Sequence, residues 1–457
     1  MAPKVAIIGS GIAGLGAAHA LRGHADITLL EAGPYFGGHT NTVDVRLPDV
    51  QGRSVTHGVD TGFLVFNERT YPNLIALLGE LGVASTQSDM SFSVQATTGA
   101  AGKPLLWSGT DLNGLFAQRS NLWSPRFWGM LADLLRFNAL TTRLAREGSD
   151  AQMSQTLGAF LDEQGFGQAF REWYFMPMMA CIWSCPTRQM LEFPVATMVR
   201  FCHNHGLLQV TNRPQWWTVT GGARHYVQAI TDSIGDKRLN APVQGVRYDA
   251  TANDARGGVW VQTTHGEELF DRVVLATHSD QALRLLHDAT PDEQRVLGAI
   301  GYQPNVAVLH TDTSVMPAAR AAWSAWNYER AQDEHTEDAR VCLHYWINRL
   351  QPLPFAQDVI VSLNPVRDID PAKVIRRIDY AHPVFDLAAM AAQQQVPALQ
   401  GDRHRYFAGA WMGYGFHEDG LKAGMAAANA LLHDLERARH APDAPKPAAM
   451  SALEPAL

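Results

Sequence analysis

The sequence predicts an α/β fold: one parallel sheet assembled from distant parts of the chain, with a second, α+β domain inserted between those parts. Three observations predict it. The run Lys4-Val5-Ala6-Ile7-Ile8 passes straight into Gly9-Ser10-Gly11-Ile12-Ala13-Gly14 and an alanine-rich stretch. A second apolar run, Ile27-Thr28-Leu29-Leu30, ends in Glu31. Two further runs, Arg272-Val273-Val274-Leu275-Ala276-Thr277 and Arg405-Tyr406-Phe407-Ala408, recur only after long stretches of different character.

Val5–Ile8 is β-rich and continuously apolar, as expected of a strand buried on both faces of a parallel sheet. The glycines after it fit G-x-G-x-x-G. Gly9 permits the tight turn, Gly11 lets a pyrophosphate approach the backbone, and Gly14 lets the next helix pack on the strand. That helix would direct its N-terminal amides at the phosphates, and Ala13, Ala17 and Ala18 keep it slim. Glu31, at the end of the second strand, stands where an acid holds ribose hydroxyls and would repel the 2′-phosphate of NADP. The pattern is Rossmann-like, and it leaves NAD and FAD open.

Glu31 leads not into another strand–helix unit but into Ala32-Gly33-Pro34-Tyr35-Phe36-Gly37-Gly38-His39-Thr40-Asn41-Thr42, then Gly58-Val59-Asp60-Thr61-Gly62-Phe63. Thr220-Gly221-Gly222-Ala223, Ala241-Pro242-Val243-Gln244-Gly245-Val246, Gly409-Ala410 and Glu418-Asp419-Gly420-Leu421-Lys422-Ala423-Gly424 come later in the same order. In this ordered set the chain resembles the flavin amine oxidase and phytoene desaturase superfamily. The resemblance implies a Rossmann-like FAD-binding domain of glutathione-reductase type with a discontinuous substrate domain of mixed sheet and helices.

It also implies noncovalent FAD contacts from Gly9, Gly11, Ile12, Ala13, Gly14, Glu31, Ala32, Gly37, Gly38, His39 and Thr40. The same role extends to Thr61, Gly62, Phe63, Leu64, Val243, Ala276, Thr277, Gly409, Ala410, Glu418 and Leu421. Val243 would meet the adenine through its backbone, and the helix opening near Glu418 would aim its N-terminus at the flavin's pyrimidine edge. Two places depart from the family: Tyr35 and His39 stand where arginines are common, and Ala410 where an acid follows the glycine. No cysteine follows Cys342, which removes the C-terminal cysteine used by some amine oxidases as a flavin tether.

The 457 residues are 46% hydrophobic and 18% charged, with a formal net charge of −8, which argues against a nucleic-acid partner. No apolar run reaches the ~20 residues of a membrane-spanning helix. Four cysteines without a CxxC pair suggest a reducing compartment, and together these features predict a cytoplasmic protein. Nothing in the composition sets the oligomeric state. The expected division is 1–79, 216–284 and 396–439 for the FAD-binding domain, and 80–215 (mostly helical) and 285–395 (mixed) for the substrate domain. The Ala/Pro-rich tail 440–457 is expected to be disordered. In the second insert Val306–Leu309 and Val341–Trp346 read as strands, and Tyr380–Phe385 as a short segment of its own.

Three clusters stand out in the inserts. Trp173-Tyr174-Phe175-Met176-Pro177-Met178-Met179 through Trp183 would either line a tunnel for a long apolar chain or pack a helix interface. Cys181 with Cys185, and Cys202 with His203 and His205, match no common zinc spacing, so no metal is expected. Arg119, Arg126, Arg136, Arg143 and Arg146 lie beside Trp123, Phe127 and Trp128, against Asp133 alone. They form either a solvated face or a peripheral contact with anionic lipid headgroups.

Amine oxidases of the superfamily place a lysine near flavin N5 on the strand after the cofactor domain's exit. Here that strand reads Tyr302-Gln303-Pro304-Asn305-Val306, Asn305 takes the place, and no lysine occurs between Lys237 and Lys373. GGHTNT, GFLVFNERTYPNL, YAHPVFD and FAGAWMGYGFHEDGLKAG resemble a bacterial group similar to the flavin domain of plant cyclopropane fatty-acid synthases and to the furan-fatty-acid pathway desaturase. That resemblance implies hydride transfer from a methylated fatty-acyl chain of a phospholipid to flavin N5. His417, Tyr414 and Asn305 are the catalytic candidates, with Glu418, His203, His205, His344 and Tyr345 as further positional ones. Oxidation of a small amine, or a non-catalytic role beside a lipid-modifying enzyme, stay open as alternatives.

Overall fold

The computed structural model describes residues 2–96, 105–149, 153–183, 190–204, 214–330 and 341–440. A five-stranded sheet runs in the order Asp236–Arg238, Asp26–Leu30, Lys4–Ile8, Arg272–Leu275, Arg405–Phe407, and every neighbouring pair is parallel. Val5, Ala6 and Ile7 are fully buried, because helices cover one face and a three-stranded antiparallel sheet (Val243–Asp249, Gly258–Thr263, Gly266–Phe270) packs on the other.

The helix Ile12–Leu21 crosses the long helix His417–His440 at close range, which small residues make possible. A Cβ on Gly424 would fall 2.0 Å from the Ala13 carbonyl oxygen, and one on Gly16 would fall 2.7 Å from Leu421 Cδ1. This contact brings the start of the late helix beside the glycine turn.

The second large sheet has seven strands: Val374–Pro383, Tyr302–His310, Ile360–Leu363, Cys342–Trp346, Trp326–Arg330, Phe92–Ala96 and Leu105–Ser108. Its neighbours are antiparallel except Trp326–Arg330 with Phe92–Ala96. Tyr380–Pro383 is therefore the end of a ten-residue edge strand, with Gln303 opposite His382 and Asn305 opposite Tyr380. The charged residues Arg376, Arg377 and Asp379 within it conceal a strand from any search for apolar alternation.

The helix Pro125–Glu147 starts at Ser124, whose hydroxyl accepts from the Phe127 amide, and buries Phe127, Met130, Phe137, Thr141 and Leu144. Leu135 instead faces solvent at 59% exposure. A π-helical turn, Arg171–Phe175, precedes the helix Met176–Trp183. Phe175, Met176 and Met179 pack into the helical core, whereas Cys181, Ile182 and Trp183 line the large cavity between the two sheets. No helix among the described residues is long and apolar enough to cross a membrane. The tail 441–457, Cys185 and His205 lie outside the described residues, as does the side chain of His203.

Candidate active site

The glycine turn is shaped by steric necessity. Gly9 sits at φ +100°, and a Cβ there would lie 2.5 Å from the Ala276 carbonyl oxygen. A Cβ on Gly14 would lie 1.9 Å from the Gly9 carbonyl oxygen. Gly11 differs: at φ −62° it is conformationally ordinary, and a Cβ on it would meet no atom within 4 Å. Glu31 is held in place by Ser10, whose amide donates at 3.1 Å, and by the Gly33 amide at 2.8 Å. Gly38, at φ +59°, passes so close to Gly11 that its Cβ would lie 3.1 Å from the Gly11 Cα.

These residues open into a cavity of about 680 Å³. Gly9, Gly11, Ile12 and Ala13 line it, with Glu31 and Ala32, then Gly37, Gly38 and His39. Thr61, Gly62, Phe63 and Leu64 add a second wall; Val243, Ala276 and Thr277 a third; Gly409, Ala410, Tyr414 and His417 come from the late turn and helix. Gly409 is constrained by space rather than by backbone angle: a Cβ there would fall 2.2 Å from Trp411 Nε1, which donates to the Thr277 carbonyl.

Five of the expected site residues do not line the cavity. Gly14 packs under the turn. Thr40 bonds to the Tyr226 hydroxyl instead. The Glu418 carboxylate accepts from the Asn73 and Leu74 amides and from Asn73 Nδ2, tying the late helix to the start of the helix Pro72–Glu80. Leu421 packs on Gly16. Asn305 is 2% exposed, and its strand presents Ala307 to the cavity.

Asn305 belongs to a relay with a fixed direction. The Val306 amide donates to Asn364 Oδ1 (2.8 Å), Asn364 Nδ2 to Asn305 Oδ1 (2.7 Å), and Asn305 Nδ2 to His382 Nδ1 (2.8 Å). A backbone donor at one end thus orients both amides and leaves His382 as the tautomer protonated on Nε2. His382 lines the cavity, and burial with the nearby His278 depresses its pKa to about 4, so it is a neutral hydrogen-bond donor. His39 lies 5.4 Å from His382 and stacks on Tyr380 at 4.7 Å. Burial, and then His382, His278 and His417, hold its pKa well below the ordinary value.

An open cradle at Gly11, an anchored acid at Glu31 and a buried, unpartnered His39 Nε2 on the cavity lining are what a bound dinucleotide would satisfy. The family model for flavin-containing amine oxidoreductases matches residues 12–346. The chain belongs to this family. It is a flavin-dependent oxidoreductase, and its cofactor is FAD. Cyclohexylamine oxidase from Brevibacterium oxydans IH-35A superposes with a TM-score of 0.65 at 19% identity, covering 96% of this chain and all of that one. A fatty acid isomerase from P. acnes that produces CLA gives 0.63 at 16%, covering 93% and 98%. Putrescine oxidase bound to putrescine gives 0.63 at 15%, covering 95% and 99%. At these identities the likeness is one of fold. No curated protein matches the sequence.

Within this flavin-family architecture His417 stacks on Phe63 at 3.8 Å, and its Nε2 lies 2.8 Å from the Tyr226 hydroxyl. Burial lowers its pKa to about 3. Its Nε2 is thus engaged by Tyr226, and the ring stacked on Phe63 forms part of the wall. Tyr414 also lines the cavity, and burial raises its pKa. Of the further candidates, Tyr345 faces the cavity, whereas His344 lies on the other side of the sheet, bonded to Glu329 (2.9 Å) and Ser362 (2.6 Å). Glu329, Cys342 and His344 have metal-like spacing, but Arg367 already pairs with Glu329.

His382, His278, Tyr302 and Tyr380 reach the cavity without having been singled out in the sequence. The fragment YAHPVFD contained two of them. Alternation could have found them once that fragment was recognised as a strand.

Proposed function

We propose that the protein takes a hydride and a proton from adjacent carbons of an apolar substrate, namely a methylated fatty-acyl chain, and so introduces a double bond, the hydride going to the flavin and the proton to a neutral imidazole of the cavity wall. One observation carries this reading. Apart from histidine, the charged residues among the described lining of the cavity are Glu31 and Arg284, and both have partners: Glu31 takes amides from Ser10 and Gly33, and Arg284 pairs with Asp280 at 2.7 Å. The substrate-side wall is Ile182, Trp183, Phe201, Trp326, Val361 and Leu363. A protonated amine would find no carboxylate among the described lining residues to balance its charge, and would lose hydration uncompensated. An acyl chain loses nothing there and gains about 0.8 kcal/mol per buried methylene.

Bound FAD supplies the hydride-accepting ring. The chain's own residues exclude water with an aromatic and aliphatic wall and present a donor whose tautomer is fixed, His382 Nε2–H. They also hold the Tyr380 hydroxyl against Thr61 Oγ1 at 2.9 Å. The noncovalent attachment of FAD is part of the same reading.

The test is anaerobic mixing of purified holoprotein with methylated phospholipids, with unbranched phospholipids and with amines, following the visible flavin band. Bleaching by the methylated lipid alone supports the proposal. Bleaching by cyclohexylamine or putrescine, without response to lipid, replaces it with amine oxidation. Bleaching by nothing, together with a stable complex with a lipid-modifying enzyme, favours a non-catalytic role.

A further inference from the structure

Among the described residues, the helix Pro125–Glu147 leaves one long face without a protein partner. Trp128, Ala132, Leu135, Ala139, Arg143 and Arg146 recur at steps of three and four, and all are exposed. Just before the helix, Leu122 is 40% and Trp123 86% exposed, while Trp128 Nε1 donates to the Leu122 carbonyl and fixes the turn against the helix. Of the large apolar side chains exposed among the described residues, Leu112, Leu122, Trp123, Trp128 and Leu135 fall within this one stretch of chain.

Charge follows the same geography. From Leu112 to Glu147 five arginines face two acids, in a chain whose formal net charge is −8. One of those acids, Asp133, is consumed by Arg136 (2.9 Å) and by the Gly167 amide (2.9 Å). Indole rings and leucines beside arginines are the composition that settles at the boundary between headgroups and acyl chains. The buried face of this helix, through Phe137 and Leu144, shares one apolar cluster with Trp183 and Phe201, which line the active-site cavity. The exposed stripe and the substrate-side wall are therefore backed by the same apolar cluster.

We infer that this face, from Trp123 through Arg146, is a docking surface for an anionic phospholipid bilayer, with Trp123, Trp128 and Leu135 entering the headgroup region and Arg143 and Arg146 resting on phosphates. The docking holds whichever molecule the cavity oxidises, because it rests on the outer face of the helix alone.

Full-length holoprotein is centrifuged with vesicles of phosphatidylcholine, with or without phosphatidylglycerol, at low and high salt. The wild-type protein co-sediments with the anionic vesicles and is released by salt. Trp123→Ser with Trp128→Ser, and separately Arg143→Glu with Arg146→Glu, each weaken partitioning by about tenfold or more while flavin content stays unchanged. Wild-type protein that stays in the supernatant with both vesicle types overturns the inference, as do variants that sediment like wild type. A dimer in light scattering that both double variants convert to monomer also overturns it, assigning the face to a second copy of the chain.

Discussion

Gly11→Val separates cofactor binding from folding. Gly11 has φ −62° and ψ 176°, a conformation open to valine, and a Cβ there meets nothing within 4 Å. The losses and gains of replacing a glycine at a helix start roughly cancel, so the apoprotein should unfold within about 1 kcal/mol of wild type. Gly11 lines the cavity, however, and the added carbons would occupy the space that lets the pyrophosphate reach the backbone. Forcing that much extra volume into a rigid site costs up to about 3 kcal/mol, or roughly 100-fold in the dissociation constant of FAD. Fluorescence titration of apoprotein with FAD measures the second quantity, and thermal unfolding of apoprotein the first. Gly14→Ala is the contrast: its Cβ would fall 1.9 Å from a backbone oxygen, so it should lose stability and flavin together. A Gly11→Val protein that purifies with full flavin content, or whose apoprotein is as damaged as that of Gly14→Ala, refutes the reasoning.

Arg405 is fully buried against Asp288 and Glu293, so Arg405→Ala leaves the buried Glu293 carboxylate without its cation and should cost about 3–5 kcal/mol, read as a fall in Tm. His310, also fully buried, accepts the Asp312 amide on Nδ1 (3.0 Å); burial, with His344 adding to it, depresses its pKa to about 4. Because the unfolded chain binds that proton and the native state does not, stability falls as pH drops below about 6.5. By pH 5 the loss is about 2 kcal/mol. Urea unfolding at pH 7 and pH 5 should show a smaller difference between the two pH values in His310→Gln than in wild type, and equal differences would exclude the assignment. His382→Phe should keep its FAD yet slow substrate bleaching of the flavin by about tenfold or more; an unchanged rate removes His382 from the site.

The cofactor end was legible because its constraints are local. Gly9, Gly11 and Glu31 work within one strand–helix–strand unit, and the structure places all three on the cavity. Gly14 and Leu421 serve the same binding fold from a distance, by letting helices approach, and the sequence pattern does not separate such packing from ligand contact. Glu418 illustrates the same difficulty: its position at the start of a helix suggested a cofactor role, but its carboxylate is taken by Asn73 and Leu74. The substrate end was less legible for a different reason. Asn305 and Ala307 lie on one face of the Tyr302–His310 strand, and which of them borders the cavity depends on what neighbouring strands place over each; His382, which takes the Asn305 amide, arrives by pairing with that strand from nearly eighty positions away. Register across remote strands leaves little trace in the order of residues along either one.

The cavity draws together Gly9 and His417, about four hundred positions apart in the chain. A ribosome therefore delivers the phosphate-facing turn long before the closing turn, and between the two the elongating chain carries half a cradle. Yellow colour in a preparation is then a certificate of completed tertiary assembly, one that a locally folded fragment cannot forge.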